Sequence, residues 1–180
     1  MLMHREKSLL LIVDIQEKLA PAILNADSVV ANAAKLIQAA KQLNIPKLAS
    51  EQYRKGLGTT VSALSDLLPA DAIIEKTHFS CHSQPGFAQR LARHQRKQII
   101  LCGMEAHVCV LQTALDLNLA CYETFIVADA VSSRTQQSYD LGLARLRALG
   151  STIVNTEMVL FEWLSEAGTA EFKALLPLIK

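Results

Sequence analysis

Short apolar runs alternate along this chain with stretches whose apolar residues recur every three to four positions. The run Ser-Leu-Leu-Leu-Ile-Val at positions 8–13 is nearly all apolar, the pattern of a strand buried on both faces. Similar runs at 45–49, 72–75, 99–102, 123–128 and 152–155 predict five further strands. Between them lie helical periods. Asn25 or Asp27 is suited to cap a helix to about Leu43, with Val30, Ala34, Ile37 and Ala40 on one face. A loop with Gly56 and Gly58 occupies 50–60, and a short helix follows near 61–68. Ser83 is placed to open a helix that has Pro85 in its first turn and runs to about Arg96. Gly103 reads as a turn between the fourth strand and a helix that begins near His107. A helix over 135–149 is stopped by Gly150, and two more are expected near 158–166 and 170–178.

This alternation predicts an α/β fold: three α/β/α layers around a six-stranded, mostly parallel sheet. No internal repeat, low-complexity tract or linker interrupts residues 1–180, so a single domain is expected. In such sheets ligands bind beyond the carboxyl ends of the strands, where strand order reverses.

Composition narrows the function. The 180 residues are 51% hydrophobic and carry a net charge of +1, which is ordinary for a globular protein. The absence of a basic excess argues against a nucleic-acid or acidic-membrane partner. No apolar run is long enough to span a bilayer. Residues 1–7 are charged, and the run at 8–13 is too brief for a signal segment, so a cytoplasmic location is expected. Cys81, Cys102, Cys109 and Cys121 match no zinc spacing and include no C-x-x-C, so they read as free thiols.

Three reactive side chains fall at strand ends. Asp14 follows the first strand, Lys76 the third, and Cys109 lies just after the fourth, at a helix start. A free cysteine has a pKa of about 8.5 and needs activation to act as a nucleophile. Unpaired N–H groups at a helix N-terminus and a nearby ammonium both favour thiolate. A carboxylate can take the thiol proton and return it to a leaving group. Backbone N–H groups of Glu105 and Cys109, beyond Gly103, are placed to hold a developing oxyanion. In isolation, each residue also has a plain structural reading: Asp14 as a turn residue, Lys76 as a solvated lysine, Cys109 as core. Their joint placement favours chemistry.

The segments Leu-Ile-Val-Asp14-Ile-Gln16, Glu75-Lys76-Thr77-His78-Phe79-Ser80 and Gly103-Met-Glu-Ala-His-Val-Cys109-Val-Leu-Gln-Thr-Ala114 resemble the signature segments of the isochorismatase-like cysteine hydrolases. Glu51-Gln-Tyr-Arg-Lys-Gly-Leu-Gly58, 127–134 and 156–164 are similar to the isochorismatase domain-containing subgroup. The resemblance implies a parallel six-stranded sheet, Asp14 as base and acid, Lys76 as activator of the thiolate, and Cys109 as nucleophile. It also implies a cis peptide between Met104 and Glu105 that turns an N–H toward the oxyanion, and a homo-oligomer. Isochorismate-cleaving members lack the nucleophilic cysteine, so Cys109 points to acyl or amide hydrolysis. Metal-dependent nicotinamidases of the superfamily carry Asp and His ligands where this chain has Ser50–Gly58 without either, so no metal and no other cofactor is expected.

Gln16, Tyr53, Phe79 and His107 are candidates for lining the pocket. His78 and His82 flank Cys81, but lie in a loop rather than at helical ligand spacing. The stripe of Phe161, Trp163 and Leu164 reads as helix packing or a subunit contact. The leading expectation is a metal-independent cysteine hydrolase of a small carbonyl substrate: an amide, ureide or related C–N bond. Two other classes stay open: a thiol-redox or electrophile sensor that uses Cys109 with Cys81 or Cys121, and a non-catalytic oligomeric scaffold.

Overall fold

A computed structural model describes residues 1–179 of the chain. Six strands, β1 (Ser8–Val13), β2 (Lys47–Gln52), β3 (Ile73–Lys76), β4 (Gln98–Met104), β5 (Glu123–Ser132) and β6 (Thr152–Val154), form one sheet in the order β3-β2-β1-β4-β5-β6. Every pairing is parallel. The order reverses between β1 and β4, which puts the switch point between their carboxyl ends.

The helices are α1 (Ala26–Gln42), α2 (Arg54–Leu57), α3 (Ser62–Ser65), α4 (Phe87–Ala92), α5 (Leu111–Leu119), α6 (Gln136–Ala148), α7 (Thr156–Leu164) and α8 (Ala170–Ile179). Side chains alternate across a strand, so β1 serves both layers. Leu10 and Ile12 pack with α1, α7 and α8; Leu9, Leu11 and Val13 pack with α4, α5 and α6. Side chains cap three helices as the residue types suggest: Thr135 Oγ1 accepts from Ser138 N, Asn155 Oδ1 from Met158 N, and Thr169 Oγ1 from Phe172 N.

Three expectations from the pattern need correction. β2 begins later than expected and continues through Ser50, Glu51 and Gln52, all three buried despite their polarity. Each has a partner that offsets its desolvation: Ser50 bonds Asp14, Glu51 accepts from Thr60, and Gln52 accepts from Lys76. The helix expected from Ser83 spans only Phe87–Ala92, after Gly86; Ser83 Oγ instead donates to Asp116 Oδ2. Gly103 is not a turn, because β4 runs on to Met104. A Cβ at Gly103 would lie 2.0 Å from the carbonyl oxygen of Val13, so glycine is required for β1 and β4 to approach at the switch point.

Candidate active site

Asp14 follows β1 directly, with a left-handed φ of 51° that aspartate tolerates better than most residues. Its N–H donates to Ser50 O. In β2 the period of two puts Leu48, Ser50 and Gln52 on one face, and Gln52 pairs in register with Lys76 of β3. The three strand ends therefore present Asp14, Ser50, Gln52 and Lys76 to the layer that holds Cys109.

The Asp14 and Lys76 side chains are fully buried, and Lys76 Nζ lies 2.7 Å from Asp14 Oδ2. Nζ also donates to Gln52 Oε1 at 2.6 Å, Phe79 O at 3.0 Å and His78 O at 3.3 Å. An ammonium has three protons, so these acceptors saturate it. Lys76 is thus a fixed charge rather than a free donor. Burial alone would push its ammonium down; the negative charge of Asp14 and the two neighbouring thiols outweigh that, and the net direction is up.

Cys109 lies in a π-helical turn, Ala106–Val110, that leads into α5. Such single turns recur at functional sites. The peptide between Met104 and Glu105, just before it, is cis. Gly142 of α6 packs against this turn: a Cβ there would sit 3.1 Å from the backbone of His107. Burial raises the Cys109 pKa first; the Asp14 charge raises it further, and so does the hydrogen bond to that carboxylate. Lys76 only partly opposes them. The net direction is up, so these surroundings favour the thiol over the thiolate.

The remaining candidates separate. Gln16 is fully buried. Its buried amide braces the loop, donating to Gln52 O and Gly58 O and accepting from Gln52 N. Tyr53 lines a cleft of about 260 Å³ together with Arg54, Glu75, Lys76, Thr77 and Gln84. Phe79 lines a separate hollow beside α5, with Gln112 and Leu115. His107 Nδ1 pairs with Ser133 Oγ at 2.9 Å, and the ring lines neither concavity. Glu105 Oε1 accepts from Arg134 Nε at 2.8 Å. Of the histidines flanking Cys81, His78 pairs with Gln84. Trp163 and Leu164 are core, and Trp163 Nε1 donates to Ser8 Oγ, whereas Phe161 is partly exposed.

Sequence reasoning missed Ser50, Gln52, Thr113 and Asp116. Asp116 Oδ2 accepts from Ser80 and Ser83, and Thr113 Oγ1 from Cys81 N; together they tie the loop after Lys76 to α5. The available signal was the alternation Leu48-Ser50-Gln52, which extends a strand face into polar residues.

Among the described residues no helix is long and apolar enough to cross a membrane. The chain is 42% identical over 174 residues to isochorismatase domain-containing protein 2 of Danio rerio, covering 96% of this chain and 86% of that protein. It superposes on the MAR1 ribonuclease of Caenorhabditis elegans with a TM-score of 0.93 at 33% identity, covering 99% of this chain and 92% of the other. The fold is also that of the Escherichia coli ycaC gene product, described as an octameric hydrolase of unknown specificity, with a TM-score of 0.92 at 21% identity over 98% and 90% of the two chains. The isochorismatase domain model matches residues 8–158, and the chain belongs to the isochorismatase family.

Proposed function

We propose that this protein is a metal-independent cysteine hydrolase of small amides, ureides or related C–N compounds, with Asp14, Lys76 and Cys109 as its catalytic residues. The observation that carries the reading is the fully buried Asp14–Lys76 pair, 2.7 Å apart at the strand ends, on the side of the sheet whose layer holds Cys109. In the first step the Asp14 carboxylate takes the Cys109 proton as sulfur adds to the substrate carbonyl. Lys76 holds the Asp14 carboxylate in place through the 2.7 Å contact to Oδ2. The N–H groups of Glu105 and Cys109 hold the oxyanion. The C–N bond then breaks as Asp14 gives its proton to the leaving nitrogen, which leaves a thioester on Cys109. Asp14 next activates water against the thioester, releasing a carboxylic acid and restoring the thiol.

A cleft of about 260 Å³ adjoins Lys76, but neither Asp14 nor Cys109 lines it, so its volume does not set the size of the substrate. Arg54 at its mouth is already paired with Glu75 and Glu51. With a net charge of +1, this leaves little basic surface for a polynucleotide, and we read the activity as distinct from that named for the Caenorhabditis elegans neighbour. We further propose a cytoplasmic homo-oligomer; an octamer is described for the Escherichia coli neighbour.

The test is a turnover screen of small amides, ureides and carbamates, with single-stranded RNA included. The reading expects hydrolysis of a small C–N compound by the wild-type protein and its loss in Cys109→Ala. Full turnover by Cys109→Ala, or cleavage of RNA alone, refutes it.

A further inference from the structure

One buried hydrogen-bond chain runs outward from Asp14 through residues that have no part in the attack, the oxyanion or the leaving group. Asp14 and Ser50 hold each other twice: Asp14 N–H donates to Ser50 O at 3.1 Å, and Ser50 Oγ donates to Asp14 Oδ1 at 2.7 Å. Ser50 Oγ in turn accepts from Cys81 Sγ at 3.3 Å. All three residues are buried. Cys81 is fixed by its own N–H, which donates to Thr113 Oγ1 at 2.9 Å. Thr113 lies one helical turn beyond Cys109, so this anchor ties Cys81 to the element that carries the nucleophile.

A serine hydroxyl has one proton and rotates to suit its surroundings. With the Cys81 S–H directed at the oxygen, the hydroxyl proton is left for Asp14 Oδ1. Lys76 occupies Oδ2. Both carboxylate oxygens are then pinned, which fixes the carboxylate plane and leaves its remaining lone pairs for the Cys109 proton.

We propose that Ser50 is the positioning residue of the Asp14 base, and that Cys81 sets the direction of the Ser50 hydroxyl. The inference rests on the reading of Asp14 as the base for Cys109. It gives the second thiol of the site a purpose other than nucleophilic attack. Burial, and then the Asp14 charge, push Cys81 up to about 11, so it keeps its proton at neutral pH.

The experiment measures the rate of alkylation of Cys109 by iodoacetamide as a function of pH, read at the Cys109 peptide by mass spectrometry. Loss of a donor makes a carboxylate hold a proton more tightly. Ser50→Ala is therefore expected to move the acid limb of the profile up by about one to two pH units. Ser50→Thr returns the limb toward its wild-type position. Cys81→Ala moves it the same way by less, and Cys81→Ser leaves it in place. A merely structural role for Ser50 would rescale the rate at every pH without moving the limb, and that result overturns the proposal. Should Ser50→Ala fail to fold, the two Cys81 variants read the chain from its outer end: equal limbs in both overturn it. Asp14→Asn is the control that separates the two levels. A limb that survives Asp14→Asn unchanged defeats the base assignment itself, whereas a limb that needs Asp14 and ignores Ser50 defeats only this inference.

Discussion

Asp14→Asn is expected to lower turnover by about 10³–10⁴-fold, the range typical of a lost general acid–base or of one member of a catalytic triad. An asparagine side chain preserves the shape, but it has one acceptor oxygen where Ser50 and Lys76 use two, and it cannot take a proton from Cys109. Burial and then the Asp14 charge push the Cys109 thiol up, which disfavours a reserve of thiolate. The same substitution carries a stability cost. The pair is fully buried, and removing one charge leaves the Lys76 ammonium opposite a neutral amide. Breaking such a pair costs about 3–5 kcal/mol. Lys76→Met is expected to cost a similar amount by isolating the carboxylate. In the double variant Asp14→Asn/Lys76→Met neither charge is stranded, and most of the lost stability is expected to return while turnover does not. Urea unfolding beside turnover measurements separates the two effects. Activity in Asp14→Asn within tenfold of wild type would remove Asp14 from the base role.

Gly103→Ala is the second large effect. The added Cβ would lie 2.0 Å from Val13 O and 2.7 Å from both Val13 C and Val13 N, all backbone atoms of the neighbouring strand, and φ at Gly103 is +126°. No rotamer change relieves such a contact, so β1 and β4 must separate at the switch point. We expect a loss of at least about 3 kcal/mol, beyond ordinary overpacking. Gly150→Ala serves as the comparison. Its φ is +94°, but nothing lies within 4 Å of the added carbon, so only backbone strain of about 1–3 kcal/mol applies. Denaturant midpoints for the two variants check this. Equal losses would mean that the close approach of the strands contributes nothing.

These two positions also show what the sequence reveals and what it conceals. The strands β1 and β4 were legible because they are apolar throughout, and with them the parallel sheet and the position of Asp14 at a strand end. The end of β2 was not. Ser50, Glu51 and Gln52 read as loop because their burial depends on partners far away in sequence, such as Asp14 and Lys76. Gly103 carries the same letter whether it makes a turn or admits a neighbouring strand; only the position of Val13 decides. Cys109 was recognisable as a candidate from its place after a strand. Its protonation state was not, because helix-end and ammonium effects compete with burial and with the Asp14 charge, and their balance depends on distances. Gln16 shows the converse: a polar residue beside the site by sequence, yet fully used as a brace.

The central claim is that Cys109 forms and breaks a covalent bond to substrate carbon. The most direct test is rapid acid quench of the wild-type protein during turnover of a small C–N substrate from the screen, followed by peptide mass spectrometry. The account predicts an acyl group on the peptide that contains Cys109, its mass equal to the substrate less its leaving group, and no such adduct in Cys109→Ala. Steady turnover with unmodified Cys109 at every quench time, under conditions where a control thioester survives the work-up, would contradict it.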